Sequence, residues 1–138
     1  MKSPKNLSHK PIISVNDYDK IDGIYANDTD ARALSIGNAQ YDSEQLSLKV
    51  WRKYKNEKWS RQSEELPIHR AFDLSILALA SFIKSNDFKY NNGHFDIEID
   101  EESKLEEIIE YYSENKEFLK PRIIELKKVM DEFLDRNL

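Results

Sequence analysis

The chain has 138 residues, 34% of them charged and 39% hydrophobic, with no cysteine and a formal net charge of −5. That length suits one domain, and the missing cysteine excludes disulfides, thiolate metal sites and a cysteine nucleophile. No apolar run approaches the ~20 residues of a membrane span, and the polar start MKSPKNLSHKP lacks the apolar core of a secretion signal, so a cytoplasmic protein is expected.

Residues 1–10 are polar and expected to form a flexible tail. Pro11-Ile12-Ile13-Ser14-Val15 reads as a short strand, and Asp17 to Gly23 as Asx-rich turns. That acidic segment does not fit a calcium loop, because Ile21 and Asp22 fall where an acid and a glycine are needed. Ala31 to Ala39 forms a further short element, helix or strand. Leu46, Leu48 and Val50 alternate with Ser47, Lys49 and Trp51, the pattern of a half-buried strand. The chain is expected to turn at Lys55 to Lys58 and return through Trp59 to Gln62. Ser63 offers a helix N-cap with Glu64 and Glu65 in the first turn. From Leu66 to Lys84 the chain is apolar on nearly every side, which predicts a buried central helix.

Phe88 to Ile97 carries Asn92-Gly93, the preferred two-residue hairpin turn, and predicts a second hairpin. Beyond Asp100, Leu105, Ile108, Ile109, Tyr112 and Leu119 follow helical spacing, and Pro121 kinks or separates a last helix carrying Ile123, Leu126, Met130, Phe133 and Leu134. Their narrow apolar stripes suit packing within the chain or a homo-oligomer. The expectation is therefore α+β: a small antiparallel sheet on a central buried helix, with a C-terminal helical pair. It is one domain, with an α+β core over 11–99 and a helical extension over 100–138.

Charge is unevenly placed. Residues 1–70 carry 12 basic and 10 acidic side chains, and residues 71–138 carry 9 and 16. Within the first part, residues 49–61 hold six basic side chains against Glu57 alone, together with both tryptophans. The overall balance argues against an extended nucleic-acid surface, yet this segment could bind a small anion. Arg52 and Arg61 would face each other across the expected hairpin, and like charges opposed in a sheet destabilise it unless an anion lies between them. Arginine forks suit phosphate, and Trp59 or Tyr54 could stack a base. Neutralisation by the chain's own Glu64 or Glu65 is the alternative.

Glu65, His69 and Asp73 recur every four residues, so on a helix they line one stripe beside Arg70. Acid–base chemistry could use them, but three ligands along ~12 Å of helix cannot meet one metal ion. Ion pairing is the plainer use of the stripe. Phosphate-cradling glycine loops and the common hydrolase and zinc signatures are absent from the sequence.

The run Lys58-Trp59-Ser60-Arg61-Gln62-Ser63-Glu64-Glu65-Leu66-Pro67-Ile68-His69-Arg70-Ala71-Phe72-Asp73-Leu74, with Tyr18 to Gly23 and Ala33 to Gly37, resembles a family of small bacterial and phage proteins of unknown function. The resemblance covers about residues 11–83 and implies that they form one unit.

The expected function is non-enzymatic binding of a small anionic, nucleotide-like ligand, without cofactor or metal. Its candidate residues are Arg52, Tyr54, Trp59, Arg61, Gln62, Glu65, His69 and Arg70. In a phage setting such a protein could act as a sponge for a signal. The alternatives are an interaction or oligomerisation module using the acidic C-terminal helices, and a small hydrolase using His69 with Glu65 or Asp73.

Overall fold

Period-2 alternation forms the strands of this chain, and a direct strand-to-helix junction sets where its main helix starts. The computed structural model describes residues 1–2, 9–53, 58–60, 64–86, 97–136 and 138. Within them the chain is α+β, with a four-stranded sheet and three α-helices. The sheet is an antiparallel meander of β1 (Lys10–Asn16), β2 (Ala31–Asn38), β3 (Leu46–Arg52) and β4 (Glu65–Pro67), in that spatial order. The element at Ala31 to Ala39 is thus a strand. The expected hairpin over Phe88 to Ile97, apart from Ile97 itself, and the turn at Asn56-Glu57 lie outside the described residues.

Register places Ser14, Ser35, Lys49 and Glu65 in one row across all four strands. Direct partners in an antiparallel pair share a face, and alternate residues along a strand change face. Ser35, Lys49, Ser47 and Trp51 therefore point to one side of the sheet. Leu34, Ile36, Leu48, Val50 and Leu66 point to the other, joined by Ile13 and Val15. The first face is the buried one: Ala31, Ala33, Ser35, Ser47 and Trp51 are all buried. In β3 the alternation expected from the sequence is present with its sides exchanged. Trp51 and Ser47 are covered, whereas Leu46 is exposed.

The turns after β1 use left-handed backbone at Asp17, Gly23 and Asn27, residue types that tolerate it. Acids from this region pair locally, with Asp19 accepting from Arg32 at 3.0 Å.

The helix α1 runs over Ile68–Ser85, not from a cap at Ser63. Glu65 and Leu66 are extended in β4, partly because the residue before a proline is disfavoured in the helical region. The expected burial of this helix also needs correction. It buries Ala80 and Ser85, while Phe72, Leu74, Ile76 and Leu77 are exposed. No residue separates β4 from α1.

Two compact units make up the chain, Met1–Ile76 and Leu77–Leu138. The division falls inside α1. In the second unit, α2 (Leu105–Glu114) and α3 (Lys116–Asp135) are the remaining helices. Phe82 and Tyr112 pack with ring centroids 5.1 Å apart, and Lys84 Nζ donates to the Ile97 carbonyl at 2.8 Å.

The break between the last two helices is at Asn115 rather than Pro121. The Asn115 side chain and backbone amides both donate to the Tyr111 carbonyl, a local alternative that stops α2, and Pro121 lies inside α3 near its start. The acid belongs to α2, with four glutamates and no basic residue, whereas α3 carries five acidic and five basic side chains.

Candidate functional site

Both faces of the sheet bear on function, and they differ in kind. On the covered face sits His9, from the stretch expected to be a flexible tail, with 0% exposure. Its position follows from a close approach of backbone. The Lys10–Pro11 segment crosses directly over Gly37, where an added Cβ would lie 2.0 Å from the Lys10 carbonyl oxygen. A shift in pairing between Pro11 and Ile13 accompanies the crossing.

There His9 joins three strands. Its Nδ1 lies 2.8 Å from Glu65 Oε1 and 2.9 Å from Ser47 Oγ, and its Nε2 lies 2.9 Å from Ser35 Oγ. A carboxylate oxygen only accepts, so the consistent tautomer carries its proton on Nδ1, donates to Glu65 and accepts the Ser35 hydroxyl proton on Nε2. The same Glu65 oxygen accepts from the Ser47 hydroxyl at 3.0 Å and the Gln40 backbone amide at 3.2 Å. Trp51 Nε1–H donates to Ser35 Oγ at 2.9 Å. Among the described residues every buried side-chain polar atom has a partner. Burial holds the His9 imidazole below its ordinary value, against the upward pull of Glu65, so the neutral ring is favoured.

Carboxylate, imidazole and hydroxyl stand here in the order of a nucleophile relay. However, Ser35 is 5% exposed, and its oxygen already accepts from Trp51. The arrangement locks β1 to β3 and β4 rather than presenting a nucleophile. Nothing in the sequence sets His9 apart, because its partners are 26 to 56 residues away.

The expected anion site disperses. The Arg52 fork binds Glu64, with Nε donating at 2.9 Å, and its Nη1 donates to Asp30 at 2.7 Å. The Glu64 hydrogen bonds raise the Arg52 guanidinium further above its ordinary value, and Arg52 in turn lowers Glu64. The chain's own carboxylates thus neutralise Arg52. Trp59 meets the buried Trp51 edge-on at 5.7 Å, with the Lys53 ammonium 5.4 Å from the Trp59 ring and that of Lys49 4.0 Å from Trp51. Glu65 lies in β4, not on a helix stripe with His69, and is committed to His9. His69 and Arg70 are exposed in the first turn of α1. Tyr54, Arg61 and Gln62 lie outside the described residues.

The opposite face is open. Ile13 is 68% and Val15 47% exposed, and Leu34, Ile36, Leu48, Val50 and Leu66 are half-buried around a shallow groove of about 430 Å³. Its lining is chiefly apolar, with Ala71 of α1 at one side.

A family profile described as a family of unknown function, DUF6530, matches residues 1–135. The chain belongs to that family. The match extends beyond residues 11–83, so the DUF6530 domain takes in the C-terminal helices as well as the sheet. Neither a curated protein nor a solved structure matches this DUF6530 chain.

Proposed function

We propose that this protein is a non-enzymatic interaction module whose binding surface is the open apolar face of the sheet. The supporting observation is the exchange of faces. Polar and small residues are sealed under His9 and Trp51, while seven aliphatic side chains, Ile13, Val15, Leu34, Ile36, Leu48, Val50 and Leu66, line the accessible side. Contiguous exposed apolar surface of this kind marks contact sites. Binding of an environment-sensitive hydrophobic dye to the dilute, folded chain tests the reading. A fluorescence rise that falls in an Ile13→Asp/Val15→Asp variant is expected; a folded wild-type chain that leaves the dye dark contradicts it.

A small anionic, nucleotide-like ligand at residues 49–61 is the second reading. It is favoured by the two lysine ammonium groups set against Trp51 and Trp59. With Arg52 occupied, Arg61 and Arg70 would carry the recognition of phosphate, and a sequestering role in a phage or bacterial cell would follow. Thermal stabilisation by a nucleotide, lost in Arg61→Ala, supports it; no shift with any anion sinks it.

A further inference from the structure

We infer that the chain forms a twofold dimer in which α3 of each copy lies in a groove of the other copy's second unit. This goes beyond the sheet-face reading and does not depend on it.

The groove, of about 650 Å³, lies between the C-terminal part of α1, residues 97–104 and α2, and every residue lining it belongs to the second unit. Its apolar lining includes Leu77, Phe82, Leu105, Ile108 and Tyr111. Glu98, Asp100, Glu101 and Glu107 are exposed along it, against Lys84 and Lys104, so the groove is net negative. Such a groove takes a helix with an apolar stripe and basic edges.

The chain contains one. In α3, Leu119, Ile123, Leu126, Met130 and Phe133 follow alternating steps of four and three, the stripe of a helix that packs on other helices. At ~3.6 residues per turn, Lys120 and Lys127 border the stripe on one side and Arg122 on the other. Glu117, Glu125, Asp131, Glu132 and Asp135 fall on the far side. The pair of Lys127 with Asp131 at 2.7 Å is exposed, so little holds that lysine to its present partner.

Within the second unit both features are unfilled. No residue of α3 is buried, and none lines the groove. Only Asn115 separates α2 from α3, less than the roughly 2–8 residues with which helices fold back on each other. Two copies of α3 do not suit each other, because basic edges would then face basic edges. The acidic groove suits them. Each copy offers one groove and one helix, so a reciprocal exchange uses both and closes.

Charge reversal on the full-length chain tests the exchange. Light scattering of the wild type should show a dimer at high concentration. Glu101→Lys/Glu107→Lys reverses the groove and Lys120→Glu/Arg122→Glu reverses the helix. Each variant alone should self-associate about a hundredfold more weakly, with unchanged circular dichroism, because its like charges now meet. Mixed in equal amounts the two variants should return to the mass of a dimer, since each groove then meets a helix of opposite charge. A wild-type monomer at every concentration overturns the inference, as do variants that stay dimeric alone or fail to pair when mixed. A monomer that sediments with anionic phospholipid vesicles assigns the α3 stripe to a lipid surface and overturns it too.

Discussion

His9 shows how one residue can fix a sheet. It is fully buried and bonded to Ser35, Ser47 and Glu65, so its removal leaves polar groups unpaired as well as a void. His9→Ala should cost about 3 kcal/mol or more in unfolding free energy, read by urea denaturation. The pH response has a definite sign. Folding lowers the His9 value from its ordinary 6.5, so the unfolded chain takes up a proton first. Stability therefore falls as pH drops below about 6.5 and through the lower folded value, and His9→Gln should flatten that part of the profile. Glu64 behaves likewise at lower pH: its folded value is lowered by Arg52, and its contribution is lost as pH falls through that value. Glu64 is half exposed, so Arg52→Ala should cost only about 1 kcal/mol or less. The sequence displayed the Arg52 cluster and its neutralising alternative, because charge is visible residue by residue. It did not display His9, whose role depends on strand register.

At the scale of elements, two short junctions place everything else. The first is the crossing of Lys10–Pro11 over Gly37. A methyl group there meets backbone rather than a flexible side chain, so Gly37→Ala should lift the N-terminal segment and release His9. We expect a loss of several kcal/mol, comparable to other large core defects at about 3–5 kcal/mol, with the buried Trp51 becoming accessible to a collisional quencher. Retention of wild-type stability and quenching would show that the crossing is unimportant. The second junction is Pro67–Ile68. Apolar content announced the helix, and Ser63-Glu64-Glu65 imitated its beginning. Pairing with β3 and the grip of His9 on Glu65 overrode that local signal. In β3 the period of two was legible but its direction was not. Hydrophobicity alone assigns Leu48 and Val50 inward, whereas Trp51 fills the covered face and the small residues of β2, Ala31, Ala33, Ser35 and Gly37, make room for it.

For the whole molecule, the α+β class was readable from alternating and helical periods, and what covers each surface was not. A pattern marks a side chain as apolar without stating whether its cover comes from the same chain. The aliphatic face of β1 to β4 and the apolar side chains Phe72, Leu74 and Ile76 of α1 make this concrete, since they look like core and are at least partly accessible. The central claim is that this sheet face is a surface. The most direct test is methyl NMR on the dilute, full-length chain, with isoleucine methyls labelled and a soluble paramagnetic agent added. Strong broadening of the Ile13 and Ile36 methyls is the predicted result. Protection of both at every concentration, matching a core methyl, would contradict it.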